Sequence, residues 1–400
     1  MTKRELCGAV RRNLDWFRKS GIMDPADGTW GVAERLAISE GNCAMEKIIR
    51  NFPAWRELDG CCVIEPRRPD CNFETALLFL LAGAVLKDAE ATKTGENLLF
   101  YLYRRSGMAF AENGVWNWSN ISKTPSRWFD DNGWCGVLQL RIAALRPDLD
   151  EKYRMTEPAL RLARLLAEGV HRSLGSALEI KHGNWSDPEG FWLGDARQPH
   201  WGAVALLAGT AALLREPDPA LATLQLEYYE YLERRIDALN ASELCYALLG
   251  AAYASKTAEA DYYTGLTVTL AAALLARLDP ETGNLPAEHC EAPAGGHLVD
   301  LIYTANWALL GLQAAAETTG NNNVLRAYQR LLRLILSIQD KSENPAFRGC
   351  WRGMYDLRAG NWGGGDCFEG GQNSIYSGWT NAPIALALLF AAEGKSFVSF

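Results

Sequence analysis

Residues 301–340 read LIYTANWALLGLQAAAETTGNNNVLRAYQRLLRLILSIQD and contain two helices of different character that are joined by a turn. The first helix, within 301–316, is apolar on nearly every side, which is typical of a helix without a solvent face. The second carries an apolar stripe at spacings of three and four (324, 328, 331, 335 and 338), with Arg326, Gln329, Arg330 and Arg333 opposite. A buried helix followed by a half-exposed one is the unit from which we infer the fold.

The same alternation of half-exposed and buried helices runs along the whole chain, where alternation with period two is scarce. Outer helices are predicted near 3–19, 91–106, 157–174, 219–238, 259–278 and 323–340, and inner helices near 72–87, 131–146, 198–215, 241–255, 298–318 and 376–393. Six inner and six outer helices in strict alternation predict an all-α fold. We expect a closed (α/α)6 barrel of six helical hairpins, forming a single domain over residues 1–400.

The links between the predicted helices differ in length according to their direction. Links from an inner to an outer helix are mostly short and rich in turn residues, as in KDAEA, REPDP and TTGNNN. Links from an outer to an inner helix are mostly long: 20–71, 107–130, 175–197, 279–297 and 341–375, with 239–240 as the exception. All long links would lie on one rim of the barrel, and long loops usually carry function.

Composition and charge narrow the classes of partner. The 400 residues are 48% apolar and have a net charge of −8, which argues against nucleic acid and against a polybasic membrane surface. No apolar stretch reaches about 18 residues without polar interruption, and the N-terminal residues lack the order of a signal peptide. Ten cysteines without a CxxC pair predict free thiols. We therefore expect a soluble protein of the cytoplasm.

Acidic residues occur at the predicted N-terminal end of every inner helix. They are Asp70, Glu74, Asp130, Asp131, Asp195, Glu243, Asp300 and Glu369. Aspartate is also a preferred helix cap, so any single one of these acids has a purely structural interpretation. Thirteen of the fourteen tryptophans lie in long loops or in first turns of inner helices. Some of these rings pack the loops, but tryptophan mixed with carboxylates, amides and histidines is a sugar-binding composition.

The segment WFDDNGWCGVLQL, residues 128–140, places two acids side by side at a helix start. Adjacent helical residues point about 100° apart, so we expect one acid to cap the helix and the other to project inward. The segment resembles the acid-bearing helix start of six-hairpin glycosidases, including endo-acting mannanases with an Asp-Asp pair. It also resembles the unsaturated glucuronyl hydrolases, which carry an aspartate on the corresponding helix.

The next inner helix opens with GFWLGDARQPHWGAVALL, residues 190–207, and carries Asp195. In the unsaturated glucuronyl and rhamnogalacturonyl hydrolases, two successive inner helices likewise carry the catalytic acids. The resemblance implies a glycoside hydrolase that acts on an oligosaccharide, including one that contains a uronic acid. We assign Asp131 as general acid and Asp195 as general base, with Asp130 exchangeable for Asp131. Neighbouring tryptophans would keep an acid protonated, whereas a helix N-terminus favours the charged form.

Further residues of the long links and helix starts are candidates for binding the sugar. They are Trp134, His200, Trp201, His297, Asp300, Arg352, Trp362, Glu369, Gln372 and Trp379. Seven glycines between 353 and 371 would let backbone approach a ligand or let a lid move. Arg352 and Arg358 are able to clamp a uronate carboxylate, although a loop arginine also serves as a structural pin. No HExxH motif is present, so we predict neither a catalytic metal nor a cofactor.

Two other classes stay open. His200 and His297 are compatible with a cofactor-free sugar epimerase or isomerase of the acylglucosamine 2-epimerase type, which shares the toroid and moves a proton with two histidines. A non-catalytic sugar-binding toroid or a terpenoid-cyclase-like toroid is the third class, and DCFEGG is a poor match to an aspartate-rich cyclase motif. The sugar, its linkage and the oligomeric state are left open.

Overall fold

The computed structural model describes residues 1–38, 54–58, 60–109, 113–122, 126–175, 185–187, 190–288, 296–364 and 370–399. Within these residues the chain forms thirteen α-helices. The outer ones are Lys3–Lys19, Ala89–Arg104, Thr156–Gly175, Pro219–Glu233, Ala260–Leu275 and Asn322–Ser337. The inner ones are Pro69–Leu86, Phe129–Leu145, Gly202–Arg215, Ala241–Ala254, Ala305–Thr319 and Ala382–Ala392. The thirteenth, Pro147–Tyr153, is a short helix that the periodicity did not predict.

The six inner helices form a closed ring. Each contacts the next in chain order, and the sixth, Ala382–Ala392, returns to contact the first, Pro69–Leu86. Their side chains are buried on nearly all sides, whereas each outer helix alternates buried and exposed positions. The first inner helix has the length and hydropathy of a membrane span, but 83% of it is buried inside the protein, as in a core helix. The predicted all-α (α/α)6 barrel is confirmed.

The long links contain short strands that the sequence analysis did not predict. Three small sheets form among the described residues. The first has the strand order Ser374–Tyr376, Arg35–Ala37, Cys61–Ile64, Trp55–Leu58, and the second has the order Ser126–Trp128, Gly190–Leu193, Trp185–Asp187. The third has the order Leu298–Asp300, Met354–Asp356, Asn361–Trp362. Each sheet pairs segments that are far apart in sequence, so the backbone hydrogen bonds of the links are made between links. The sheets therefore tie the long-link rim together.

Three inner helices begin later than predicted, and the delay is greatest for the fifth and the sixth, which other backbone structure precedes. The fifth begins at Ala305 rather than near 298, after the strand Leu298–Asp300. The sixth begins at Ala382 rather than near 376, because the turn Ser377–Asn381 contains Trp379 in a left-handed conformation with φ 45°. In both cases the residues before the helix carry side chains into the centre of the rim.

The C-terminal tail crosses the opposite end of the barrel. The ring of Phe397 stacks on Trp134 at 5.4 Å between centroids and lies edge-on to Tyr253 at 5.6 Å and to Phe390 at 6.3 Å. These three partners belong to the second, fourth and sixth inner helices. The tail thus closes the barrel below the layer in which the acidic residues lie.

Candidate active site

The N-terminal ends of all six inner helices meet at one cluster of polar and aromatic side chains. In helix order the contributors are Asp70 with Glu74, Asp130 with Asp131, His200, Tyr246, Tyr303 and Trp379. The ring of His200 lies 5.0 Å from Tyr246, 5.6 Å from Tyr303 and 5.9 Å from Trp379, measured between centroids. The toroid therefore converts residues spread over more than 300 positions into one site.

Arg68 is the centre of the acidic half of this site. It lies at the N-cap of the first inner helix and has 11% of its side chain exposed. Its Nη2 donates to Oδ1 of Asp131 at 2.6 Å and to Oδ2 of Asp70 at 2.7 Å, and its Nη1 donates to Glu34 at 3.2 Å. One guanidinium therefore holds three carboxyl groups in fixed positions.

The carboxyl groups outnumber the cations around them. Glu34, Asp70, Glu74, Asp130 and Asp131 are all almost fully buried. The arginines that contact this cluster in the described part of the chain are Arg68 and Arg35, whose Nη2 donates to Glu34 at 3.1 Å. Five buried carboxylates cannot all stay charged beside two guanidinium groups, because desolvation and mutual repulsion both favour the neutral form. The protonated form is therefore favoured for part of this cluster, and the pKa is raised for Asp131 and Glu74.

Asp131, the second of the two adjacent acids, has a pKa that is raised by its surroundings. Burial raises the pKa of Asp131 well above its ordinary value, and the charges of Asp70 and Asp130 raise it further, whereas Arg68 opposes them. Its second oxygen, Oδ2, is buried and accepts no hydrogen bond from a described residue, and a hydrogen bond between the carboxyls of Asp131 and Asp70 raises the pKa further. A protonated carboxyl with one unused oxygen is suited to act as a general acid.

Asp130 has a different environment from its neighbour. Its Oδ2 lies 3.1 Å from Nε2 of His200, and its Oδ1 is buried with no partner in the described ranges. The ring of His200 is enclosed by Trp201, Tyr246, Tyr303 and Trp379. The adjacent acids therefore reach different partners, since Asp131 contacts an arginine and Asp130 contacts a histidine.

Neither acid of the pair caps its helix, so that part of the sequence prediction is wrong. The second inner helix begins directly at Phe129, its N-cap is Trp128, and no side chain accepts a cap hydrogen bond. Asp130 and Asp131 are in the first turn, and both carboxyls point to groups on other elements. An arginine and a histidine from outside the helix compete better for these carboxylates than the helix backbone does.

Glu74 connects the acid cluster to two tryptophans. It accepts hydrogen bonds from the indole N–H of Trp134 and, at 2.8 Å, from the backbone N–H of Trp379. Burial, and then the charge of Asp70, raise the pKa of Glu74 well above its ordinary value. The indole N–H of Trp379 in turn donates to Asp70. Trp379 therefore bridges two buried acids of the first inner helix and presents its ring to His200.

The backbone of Trp379 is held in a conformation that is unusual for a residue with a side chain. Its φ of 45° is left-handed, and its carbonyl accepts a hydrogen bond from Asn306. The preceding Gly378 has no room for a side chain, because a Cβ there would overlap Cys71 and the carboxyl of Glu74. Strain of this kind persists where surrounding contacts impose it, and it is frequent at functional sites.

Asp195, predicted as general base, lies in a turn and forms an ion pair. Nε of Arg197 donates to its Oδ1 at 2.8 Å and Nη2 donates to its Oδ2 at 2.9 Å. The parallel strands Ser126–Trp128 and Gly190–Leu193 bring this turn beside the second inner helix. Trp128 pairs with Leu193, and each of the two acids follows its strand end by two residues. Asp195 is therefore on the same rim as the acid pair, but its own arginine occupies both oxygens.

The other residues predicted to bind sugar have three kinds of position: in the site, in turns that support it, and in the core. Trp201 packs on His200 in the site, and Gln372 is half-buried with an unpartnered oxygen within the described chain. Asp300 accepts hydrogen bonds from the N–H groups of Ile302 and Tyr303 and from the hydroxyl of Thr304. It therefore shapes the turn that carries Tyr303 to His200.

The remaining candidates contact the third sheet or the core. Arg352 bonds Asp340 through Nε and Nη2, which makes it a structural pin, and its guanidinium also lies 5.8 Å from the ring of Trp362. His297 directly precedes the strand Leu298–Asp300 of the same sheet. Trp134 is 1% exposed and packs between Trp307 and Phe397, so it has little surface for a sugar. Glu369 lies outside the described residues.

Four residues of the site were not predicted from the sequence: Glu34, Arg68, Tyr246 and Tyr303. Arg68 had a readable signal, because RRPD places it directly before an inner helix that opens with an acid. Glu34 lies in a link without periodicity, and the two tyrosines resemble ordinary core aromatics. Their role is visible only when the hairpins close. No group of three or more metal-ligating side chains is assembled in the part of the chain that the structure describes.

Solved structures with the same architecture have very different sequences. A sugar epimerase from a ruminal bacterium matches with a TM-score of 0.62 and 10% identity over 96% of this chain and 98% of that one. A cellobiose 2-epimerase from Spirochaeta thermophila matches with a TM-score of 0.62 and 12% identity over 98% and 96%. The chain has the (α/α)6 toroid fold that these solved structures share.

The structure of a glycoside hydrolase is also similar in fold. An α-1,6-mannanase from Salegentibacter sp. matches with a TM-score of 0.53 and 12% identity over 97% of this chain and 98% of that one. That structure is an inactive variant in which two consecutive aspartates are replaced by alanine, in complex with α-1,6-mannotetrose. No protein-family model and no curated protein sequence matches the chain. At these identities the six-hairpin toroids establish the fold of this protein, and its reaction must be argued from the site.

Proposed function

We propose that this protein is a sugar-processing enzyme and, within that class, a glycoside hydrolase that cleaves an oligosaccharide, including one that contains a uronic acid. The observation that carries the proposal is the buried pair Asp130 and Asp131, in which one acid is kept protonated and each acid has an unused oxygen. The similar mannanase, inactive when two consecutive aspartates are replaced, supports this choice. The sugar-processing class is supported by the enzymes with which the toroid is shared.

In the proposed reaction Asp131 donates its proton to the glycosidic oxygen as the C–O bond breaks. Positive charge then develops at the anomeric carbon, and a second carboxylate stabilises it or activates the water that completes hydrolysis. Arg68 keeps the carboxyl of Asp131 oriented, while burial keeps it protonated. After the leaving group departs, Asp131 is negatively charged beside Arg68, and that contact stabilises the product state.

Asp130 is the second carboxylate that the contacts favour. It lies one residue from the acid, contacts His200 and has an oxygen free of described partners. Asp195, the base predicted from sequence, would have to release both hydrogen bonds from Arg197 before it could activate water. We retain Asp195 as a testable alternative, because the paired strands place it on the same rim.

The test is turnover of a panel of short oligosaccharides, including α-1,6-mannotetraose and unsaturated uronides, followed by mass spectrometry. Asp131→Asn and Asp130→Asn should each lower the rate about 10²- to 10⁴-fold, which is the usual contribution of a positioned acid or base. Glu243→Gln is the matched control, because Glu243 is also an acid in the first turn of an inner helix but serves a capping box with Asn240. Unchanged turnover in Asp131→Asn would overturn the proposal. A loss in Asp131→Asn and Asp195→Asn, with turnover kept in Asp130→Asn, would move the base to Asp195.

A cofactor-free epimerase is the second candidate, and His200 is the observation that favours it. A histidine paired with Asp130 and enclosed by aromatic rings is suited to move a proton at a sugar carbon. The predicted partner, His297, lies beside the third sheet, and none of its described contacts reaches His200. Isomerisation seen by NMR that is lost in His200→Ala and His297→Ala, but kept in Asp131→Asn, would select the epimerase. We also propose a cytoplasmic location, consistent with the seven described cysteines, all of which are free thiols.

A further inference from the structure

Two exposed aromatic side chains lie on either side of Arg105, beside the link that carries Arg67 and Arg68. Trp30 is 54% exposed and Phe100 is 36% exposed. The guanidinium of Arg105 lies between them, 4.7 Å from the ring of Trp30 and 4.9 Å from that of Phe100. Exposed aromatic side chains that are grouped in this way indicate a contact surface rather than chance exposure.

The indole of Trp30 is fixed in position by its neighbours. Nη1 of Arg105 donates to the carbonyl of Thr29 at 2.7 Å, and Nε of Arg67 donates to the carbonyl of Trp30 at 2.6 Å. The backbone on both sides of the ring is therefore pinned, and one face of the ring packs on a guanidinium. A ring that is held rigidly loses little conformational entropy when a ligand stacks on it.

A cavity of about 380 Å³ opens beside this ring. Its walls include Asp24, Trp30, Arg67, Tyr101, Arg105 and Asn120. This volume is within the range of small-molecule sites, and the walls combine an aromatic platform with hydroxyl, amide and carboxylate groups. It is separate from the acid cluster, since none of these side chains takes part in the contacts of Arg68 or His200 described above.

The hydroxyl of Tyr101, in the wall of this cavity, lacks a hydrogen-bond partner among the described residues. The residue is 3% exposed, and its hydroxyl is buried with no hydrogen bond to any described residue. Burial raises the pKa of Tyr101 to about 12, so the hydroxyl stays protonated and able to donate. Buried hydroxyls are normally paired, and an unpaired one in a cavity wall points to a ligand.

The polar groups of the cavity favour a neutral ligand over an anion. Arg67 uses its guanidinium on the carbonyl of Trp30 and on Glu65, and Arg105 uses its own on Thr29 and on two aromatic rings. The exposed carboxylate of Asp24 would repel an anion but accept hydroxyl hydrogen bonds. The side-chain oxygen of Asn120 accepts from the N–H of Arg67, and its amide group is left to donate.

We propose that this cavity is a second sugar-binding subsite, which takes one unit of an oligosaccharide by stacking on Trp30 and by hydrogen bonds to Tyr101, Asn120 and Asp24. It rests on the proposed function for the source of the ligand. Arg67 lines the cavity and the next residue, Arg68, holds Asp131, so the two sites are neighbours along the rim. An oligosaccharide that reacts at the acid cluster extends into this cavity.

The test uses an array of manno- and gluco-oligosaccharides of two to six units, probed with the full-length protein and its variants. Trp30→Ala and Tyr101→Phe should each weaken binding of the longer sugars about ten-fold or more, a loss of roughly 1.4 kcal/mol or more, and should leave the disaccharides unchanged. Trp55→Ala is the matched control, because Trp55 is 44% exposed but does not line the cavity. Thermal melting of each variant shows that it is folded.

The outcomes separate the subsite from the proposed reaction. If wild type binds no sugar on the array, or if Trp30→Ala and Tyr101→Phe bind every sugar as wild type does, the subsite is overturned. If Trp30→Ala loses binding while Asp131→Asn keeps full turnover, the subsite stands and the proposed hydrolase does not. Loss of binding in the control Trp55→Ala to the same extent as in Trp30→Ala would also contradict the assignment.

Discussion

Asp131 is subject to opposing influences that set both its proposed chemistry and its effect on stability. Burial and the neighbouring acids favour the protonated form, and Arg68 favours the charged form. Below its ordinary pKa of 3.8 the group is protonated in the folded and unfolded chain alike. As the pH rises, the unfolded chain releases this proton first, so Asp131 lowers the free energy of unfolding progressively until its folded pKa is reached.

Asp131→Asn should therefore raise the melting temperature at neutral pH. Asparagine resembles the protonated acid, and its side-chain oxygen can still accept the hydrogen bond from Arg68. The gain should be a few degrees at pH 8, where each kcal/mol shifts the melting temperature of a large domain by about 2–4 °C. It should shrink towards zero as the pH falls to about 4. Melting curves of the variant and wild type across this pH range measure the difference.

Asp218→Asn is a control with the opposite sign. Hydrogen bonds from Arg164 and from the backbone of the helix that it caps lower the pKa of Asp218. This carboxylate therefore contributes stability above its unfolded pKa, and the contribution is lost as the pH falls through the folded pKa. The variant should be less stable than wild type at neutral pH and approach it in acid. A stabilisation by Asp131→Asn that is the same at every pH would contradict the account of a buried, protonated acid.

Among helices, the close approach of the second and third inner helices sets the geometry of the acid pair. A Cβ at Gly133 would overlap the backbone of Val204 and Ala205 in the third inner helix. Gly133 follows Asp130 by one turn, and His200 lies two residues before the start of the third inner helix. The glycine therefore allows the separation at which Asp130 and His200 lie 3.1 Å apart.

Gly133→Ala should push the two helices apart. Because the clash is with backbone atoms, no side chain can move aside, and we expect a loss of about 1–3 kcal/mol together with a weaker Asp130–His200 contact. Gly8→Ala is the control, because Gly8 is in an outer helix where the added methyl meets only the end of the Arg12 side chain. Urea unfolding measures the stability of both variants. A stable Gly133→Ala protein with full turnover would show that the helix separation does not set the site.

The elements that could be predicted from sequence are those whose pattern is long enough to be periodic. Inner and outer helices of eleven to twenty residues were predicted, whereas strands of two to four residues have no period to detect. The same limit applies to the site. The site residues that could be predicted stand at helix starts: Asp130, Asp131, His200, Trp201 and Trp379. By contrast, Glu34 directly precedes a short strand and Arg35 lies within it. The contacts of Glu34 with Arg68 and with Arg35 depend on how the links pair.

At the scale of the whole molecule, the ring is closed by contacts between the two ends of the chain. Asn381, directly before the sixth inner helix, accepts a hydrogen bond from Asn13 of the first outer helix at 2.9 Å. Its amide donates to the carbonyls of Trp351 and Tyr376. These hydrogen bonds join residues up to 368 positions apart. Closure of the toroid therefore rests on contacts of very high sequence separation.

The C-terminal tail adds a second closure, which connects the base of the barrel to the acid cluster. Phe397 stacks on Trp134, and the indole N–H of Trp134 donates to Glu74. Arg141 lies 4.8 Å from the ring centroid of Phe397 and donates to its carbonyl, and Gln313 donates to the carbonyl of Lys395 at 2.6 Å. Three inner helices thus depend on one buried aromatic side chain of the tail.

Phe397→Ala should destabilise the protein and also lower activity. Removal of a buried phenylalanine costs about 3–5 kcal/mol in a core that cannot collapse around the space, and Trp134 would lose the ring that holds it against Glu74. Denaturant midpoints and turnover measure the two effects, with Val268→Ala as the control because Val268 is 47% exposed. Equal midpoints for the two variants would mean that the tail only covers the base, whereas a large drop in stability with unchanged turnover would separate closure of the barrel from the acid cluster.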